Sequence, residues 1–121
     1  MSINSYKDLD VWQKAMDLVV DCYKVTRLFP KEEAFGLTSQ LQRAAVSVPA
    51  NIAEGRELQS SKQFIKHIAI AYASLAETET HILIAQRLEY IEQKQVESIL
   101  VKTSEIGKML NGLRKSISKK D

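Results

Sequence analysis

The stretch Ala44–Gly55, AAVSVPANIAEG, constrains the fold more than any other part of the chain. It is rich in small residues and carries Pro49 where a helix should continue. It closes on a polar Asn-Ile-Ala-Glu-Gly, and the segments on either side read as amphipathic helix. A proline in a helix interior removes one backbone hydrogen bond and clashes with the preceding turn, at about 3 kcal/mol. The second helix is therefore predicted either to kink at Pro49 or to restart there, with Ser47 or Val48 as cap. Ser47 and Asn51 are the local groups able to satisfy freed backbone atoms. Ala44, Ala45, Ala50 and Ala53 admit a close neighbouring helix, and Gly55 reads as a C-terminal cap.

Around this stretch the apolar spacing is helical throughout. A first helix is predicted over about 8–29, with Asp8 as N-cap and Pro30 beyond its end. Leu9, Trp12, Met16, Val19 and Tyr23 form one stripe, and Val11, Ala15, Leu18, Cys22, Val25 and Phe29 form a second. The next helix, about 37–55, has Leu37, Leu41, Ala44, Val48 and Ile52 as its core line, with Thr38 near its start. Ser60 with Gln63 matches a capping box for a third helix over about 61–88. Its line is Ile65, Ile68, Tyr72, Leu75, Glu79, Ile82 and Gln86. The fourth helix, about 94–117, carries Val96, Ile99, Thr103, Ile106, Leu110, Leu113 and Ile117. Four helices, three connections and no strand signal predict an all-α chain, a single domain over 1–121 built as an antiparallel up-down four-helix bundle.

One cysteine, Cys22, excludes an intramolecular disulfide and sits in an apolar stripe, which fits a cytoplasmic protein and a core thiol. No apolar run approaches the ~18 residues of a membrane span. The N-terminal MSINSYKDLD lacks a signal-peptide pattern. No membrane partner is expected.

The chemistry of an enzyme is missing. A di-iron bundle site wants Glu-x-x-His pairs, but Phe64 and Thr78 stand three residues before His67 and His81. The two histidines lie ~21 Å apart along one helix, too far for a shared metal. There is no nucleophile triad and no glycine-rich phosphate loop. No catalytic residue, metal or cofactor is expected.

Glu79 is the one residue wrong for its core line. Either Glu79 edges the stripe and stays in water, or its carboxylate is buried and needs a partner, for which Arg43 is the obvious candidate, with Asn51, Ser47 and Glu54 completing a structural polar seam. Net charge is only +2, but Lys108, Arg114, Lys115, Lys119 and Lys120 cluster near the C-terminus, leaving 12 basic and 14 acidic residues elsewhere. Such a cluster fits the phosphates of RNA or DNA, although it also complements a helix dipole. No aromatic residue interleaves with it to stack bases. Tyr6, Val20, Leu28, Ile70, Ile84 and Val101 are apolar beyond the core lines and suit self-association.

Several segments together resemble a known family. They are Asp8–Ala15 (DLDVWQKA), Phe29–Glu33 (FPKEE), Phe35–Leu41 (FGLTSQL), Arg43–Gly55 (RAAVSVPANIAEG) and Ser74–Thr80 (SLAETET). The chain resembles the bacterial four-helix-bundle proteins encoded in intervening sequences of 23S rRNA genes. The likeness extends to about Tyr90, and the last helix matches in pattern only. The resemblance implies a ring-like homopentamer of unassigned biochemical role, similar to the accessory protein of diversity-generating retroelements, which binds nucleic acid and a reverse transcriptase. The family's recurring residues map onto Arg43, Pro49, Asn51, Glu54, Gly55 and Glu79, and no catalytic residue comes with them. The expected function is a non-enzymatic oligomeric bundle that binds RNA or DNA. The alternative is a scaffold docking a polymerase-type protein partner.

Overall fold

The computed structural model describes residues 5–119. Four helices, α1 (Asp10–Thr26), α2 (Leu37–Glu57), α3 (Ser61–Arg87) and α4 (Gln93–Lys119), account for most of it. No strand occurs among the described residues. Short 3-10 turns at Tyr6–Asp8 and Lys31–Glu33 precede α1 and α2. Consecutive helices pack against one another and α4 closes back on α1. This is the antiparallel up-down four-helix bundle.

The core follows the predicted lines on α2 and α4 and the second predicted stripe on α1, whereas Met16 and Tyr23 of the first stripe are 40% and 43% exposed. Leu18, Leu41, Val48, Ile52, Ile68, Ile82, Ile99, Ile106 and Leu110 are fully buried. Cys22 joins them, and burial pushes its thiol pKa up to about 12. On α3 the buried face is turned from the predicted one. Ile68, Leu75 and Ile82 are inside, but Tyr72 is 47% exposed. A second line, Ala71, Ser74, Thr78, His81 and Ala85, is buried beside them. These small and polar side chains let α2 come close, and α2 with α3 forms the most extensive helix pair.

α2 runs unbroken through Pro49, which is buried, so the helix does not restart there. Gly55 is not a cap. It lies inside α2, and a Cβ on it would sit 2.7 Å from His67 Cβ and 3.0 Å from Phe64 Cδ1. Its glycine is required by the crossing of α3. The chain turns instead at Gln59, with φ 55°, and between α3 and α4 at Glu89, with φ 65°.

Both ends of α1 differ from expectation. α1 begins at Asp10 because Asp8 is taken into the preceding 3-10 turn, and Leu9 is the N-cap. It ends at Thr26, short of Pro30. Thr38 joins α2 as its second residue. Glu33 caps the helix start, its Oε1 accepting the Leu37 N–H at 3.0 Å while its Oε2 accepts the Tyr90 hydroxyl at 2.8 Å. The predicted cap at Ser60 forms, with Oγ accepting the Gln63 N–H at 3.3 Å. No helix among the described residues is long and apolar enough to cross a membrane.

Candidate nucleic-acid interface

The basic residues singled out in the sequence fall on the C-terminal half of α4. Lys108, Lys115 and Lys119 are spaced seven and four apart and all are exposed. At 100° and 1.5 Å per residue they form one outward line ~17 Å long. Arg114 lies about a third of a turn away and is half-buried. Lys120 is outside the described residues. None of Lys108, Arg114, Lys115 and Lys119 enters an ion pair among the described residues. The ion pairs of α4 sit further toward its start, where Glu105 meets Lys14 at 3.2 Å and Lys102 meets Asp21.

The antiparallel topology brings further cations to the same end of the bundle. Lys62 and Lys66, exposed on the first turns of α3, lie at the level of the end of α4. Sequence reasoning missed them because they are separated from Lys108 by more than forty residues in the chain. Their spacing of four, at the start of a helix antiparallel to α4, is the signal that would have placed them. Glu54 and Glu57, both exposed near the end of α2, are acidic groups at this end.

The expected polar seam divides into two unconnected parts. Arg43 is exposed on the outer side of α2 and does not reach Glu79. It lines a shallow groove with Tyr23, Ser39, Gln42, Val46 and Ser47. Glu54 is likewise exposed and takes no part. Glu79 is half-buried, and its carboxylate accepts a short hydrogen bond from Thr103 Oγ1 on α4. Glu79 faces α4, whereas Arg43 faces away from the bundle axis, so the two cannot meet within one chain.

Asn51 instead anchors a network between α2 and α3. Its Nδ2 donates to Ser47 O at 2.9 Å and Ser47 Oγ at 3.0 Å. Its Oδ1 lies 2.9 Å from His67 Nδ1. Ser74 Oγ donates to Ser47 Oγ at 2.9 Å, and Thr78 Oγ1 donates to Ser74 O at 2.8 Å. His67, Ser74 and Thr78 recur at helical spacing on α3, a polar stripe that the predicted aliphatic line obscured. The other histidine, His81, is buried: it faces Glu77 at 3.4 Å through Nε2, and its Nδ1 has no partner among the described residues. No group of three His, Cys, Asp or Glu residues among those described is arranged to hold a metal.

The fold and this charge distribution define a helical bundle with a cationic end. The chain belongs to the 23S rRNA-intervening sequence protein family, whose model matches residues 7–112. Its structure is similar to the 1.70 Å crystal structure of a protein of unknown function from the S23 ribosomal protein family of Bacteroides thetaiotaomicron. The two share 32% identity and a TM-score of 0.77, over 87% of this chain and 98% of the other. No curated protein matches the chain.

Proposed function

We propose that the chain is a non-enzymatic, cytoplasmic, self-associating bundle that binds RNA or DNA through its cationic end. The observation that carries this reading is the outward line of Lys108, Lys115 and Lys119, three cations with no carboxylate partner among the described residues. Such a line suits a phosphate backbone and reads no base sequence. The family's name makes the RNA of an rRNA intervening sequence the first ligand to try. Self-association, as the five-membered ring the family resemblance implies, multiplies the lysine line by the subunit number. It is supported by the exposed apolar residues Met16, Tyr23, Val46, Tyr72, Leu83 and Val101.

The test is a gel-shift series on structured RNA and on duplex DNA at rising salt, with wild type and the Lys108→Glu/Lys115→Glu/Lys119→Glu variant. About three phosphate contacts per chain give a log–log salt slope of about −3 on duplex DNA. No shift at low salt, or equal binding by the variant, rejects the reading.

A scaffold docking a partner protein is favoured by one different observation. Phe35 is fully exposed at the opposite end of the bundle, where Leu28 and Leu88 are half-exposed. A partner captured after nuclease treatment by wild type and by the lysine variant, but not by Phe35→Ser, would establish that reading.

A further inference from the structure

We propose that Arg43 of one copy of this chain enters the groove between α3 and α4 of a neighbouring copy and pairs there with Glu79. This rests on the self-association reading and names the contact that would build the assembly.

The groove holds about 390 Å³. Gly107, having no side chain, opens its floor beside Leu75, and Tyr72, Ala76, Thr103, Ser104 and Asn111 complete its lining with Glu79. Lys108 stands at the rim, on the outward line of α4. Inside this groove is a half-buried carboxylate whose one bonded partner among the described residues is the Thr103 hydroxyl. It enters no ion pair among the described residues. A partly desolvated carboxylate of this kind favours a guanidinium, which brings several fixed donors and a flat face suited to stacking on Tyr72.

Arg43 supplies the complement. It is exposed in a neutral groove of Tyr23, Ser39, Gln42, Val46 and Ser47, and it has no carboxylate partner among the described residues. It lies on the α1–α2 side of the bundle, while the Glu79 groove lies on the α3–α4 side, directly opposite. The two are also at one height. The Asn51–His67 and Ser47–Ser74 bonds set the register of α2 against α3, and continuing it one turn brings Arg43 level with the turn around Thr78. Glu79 is the next residue, ~1.5 Å along the axis. A donor and an acceptor at one height on opposite sides of a rod make a head-to-tail contact, which forms a ring where the rotation from copy to copy closes. Exposed apolar groups flank both members: Tyr23 and Val46 beside Arg43, Tyr72 at the groove.

The experiment measures solution mass by light scattering for the full chain and for Arg43→Glu, Glu79→Arg and the double variant, with helicity followed by circular dichroism. Wild type is expected to be a multiple of 13.7 kDa. Each single variant should fall to the single-chain mass with helicity retained, and the double variant should regain the wild-type mass. A monomeric wild type rejects self-association itself, and this proposal with it. An oligomeric wild type whose single variants keep its mass, or whose double variant stays dissociated, rejects the Arg43–Glu79 contact alone.

Discussion

Asn51 fixes the proton of His67. The Asn51 amide nitrogen donates to the Ser47 carbonyl, which can only accept, so the Asn51 oxygen must face His67 Nδ1. That nitrogen therefore carries the hydrogen, whatever the charge of the ring. Nitrogen NMR at a pH where the ring is neutral should find His67 as the Nδ1–H tautomer. An Nε2–H tautomer would contradict the network. Asn51→Ala leaves the half-buried Nδ1–H unmatched and is expected to destabilise by ~1–2 kcal/mol in denaturant unfolding.

Two glycines inside helices should respond to alanine in opposite directions. At Gly55 the new methyl would stand 2.7 Å from His67 Cβ, an atom tied to the α3 backbone. Overpacking of that kind costs ~1–3 kcal/mol and outweighs the helix-propensity gain. At Gly112 nothing lies within 4 Å of the added methyl. Gly112→Ala should therefore stabilise by about 0.5–1 kcal/mol. Chemical denaturation of both variants checks the pair, and the same sign at both sites would refute the argument.

Glu33 couples stability to pH. The Leu37 N–H, and then the Tyr90 hydroxyl, hold its carboxyl below the usual carboxylate range. A group depressed on folding contributes stability that is present above its unfolded pKa and is lost as pH falls through the folded one. The same bond raises the Tyr90 phenol, so that contribution is present below the ordinary tyrosine pKa and is lost as pH rises through the raised value. Melting temperatures of wild type and Glu33→Gln should differ most near neutrality and converge in acid. A gap that stays constant down to pH 3 would show that the ionised cap contributes nothing.

Cys22 should be silent in the folded protein. Its thiol is fully buried and pushed up to about 12, so almost no thiolate exists at neutral pH. Alkylation should proceed only as fast as the bundle opens, and should become immediate in denaturant. Rapid labelling under native conditions would place the thiol at the surface.

The sequence carried the architecture because each helix has its own apolar period. The α4 stripe from Val96 to Leu110 is buried as read. The polar contacts were not legible in the same way. Arg43 and Glu79 looked like partners by charge and by proximity to the same helix pair. Their angular positions decide otherwise, because Arg43 points out of α2 while Glu79 points toward α4. Thr103 was hidden by its place in an aliphatic line, where a hydroxyl reads as a small core residue. Gly55 read as a cap because helices so often end on glycine, whereas its use here depends on α3 crossing at that height. The cationic line was legible on α4 alone, and the lysines of α3 reach the same end of the bundle only because the chain doubles back.

The small side chains along the α2–α3 contact make two smooth surfaces. Ala71, Ser74, Thr78 and Ala85 offer little relief against Ala44, Ala45 and Gly55, and smooth surfaces are prone to slide by one turn. The Asn51–His67 and Ser47–Ser74 bonds prevent this, since a shift of 5.4 Å would part both pairs. The network thus acts as a detent between the two helices. Because it also sets Arg43 against the height of Glu79, a one-turn slip in a single chain would mis-seat it against its neighbours, and an assembly built this way would admit only correctly registered copies.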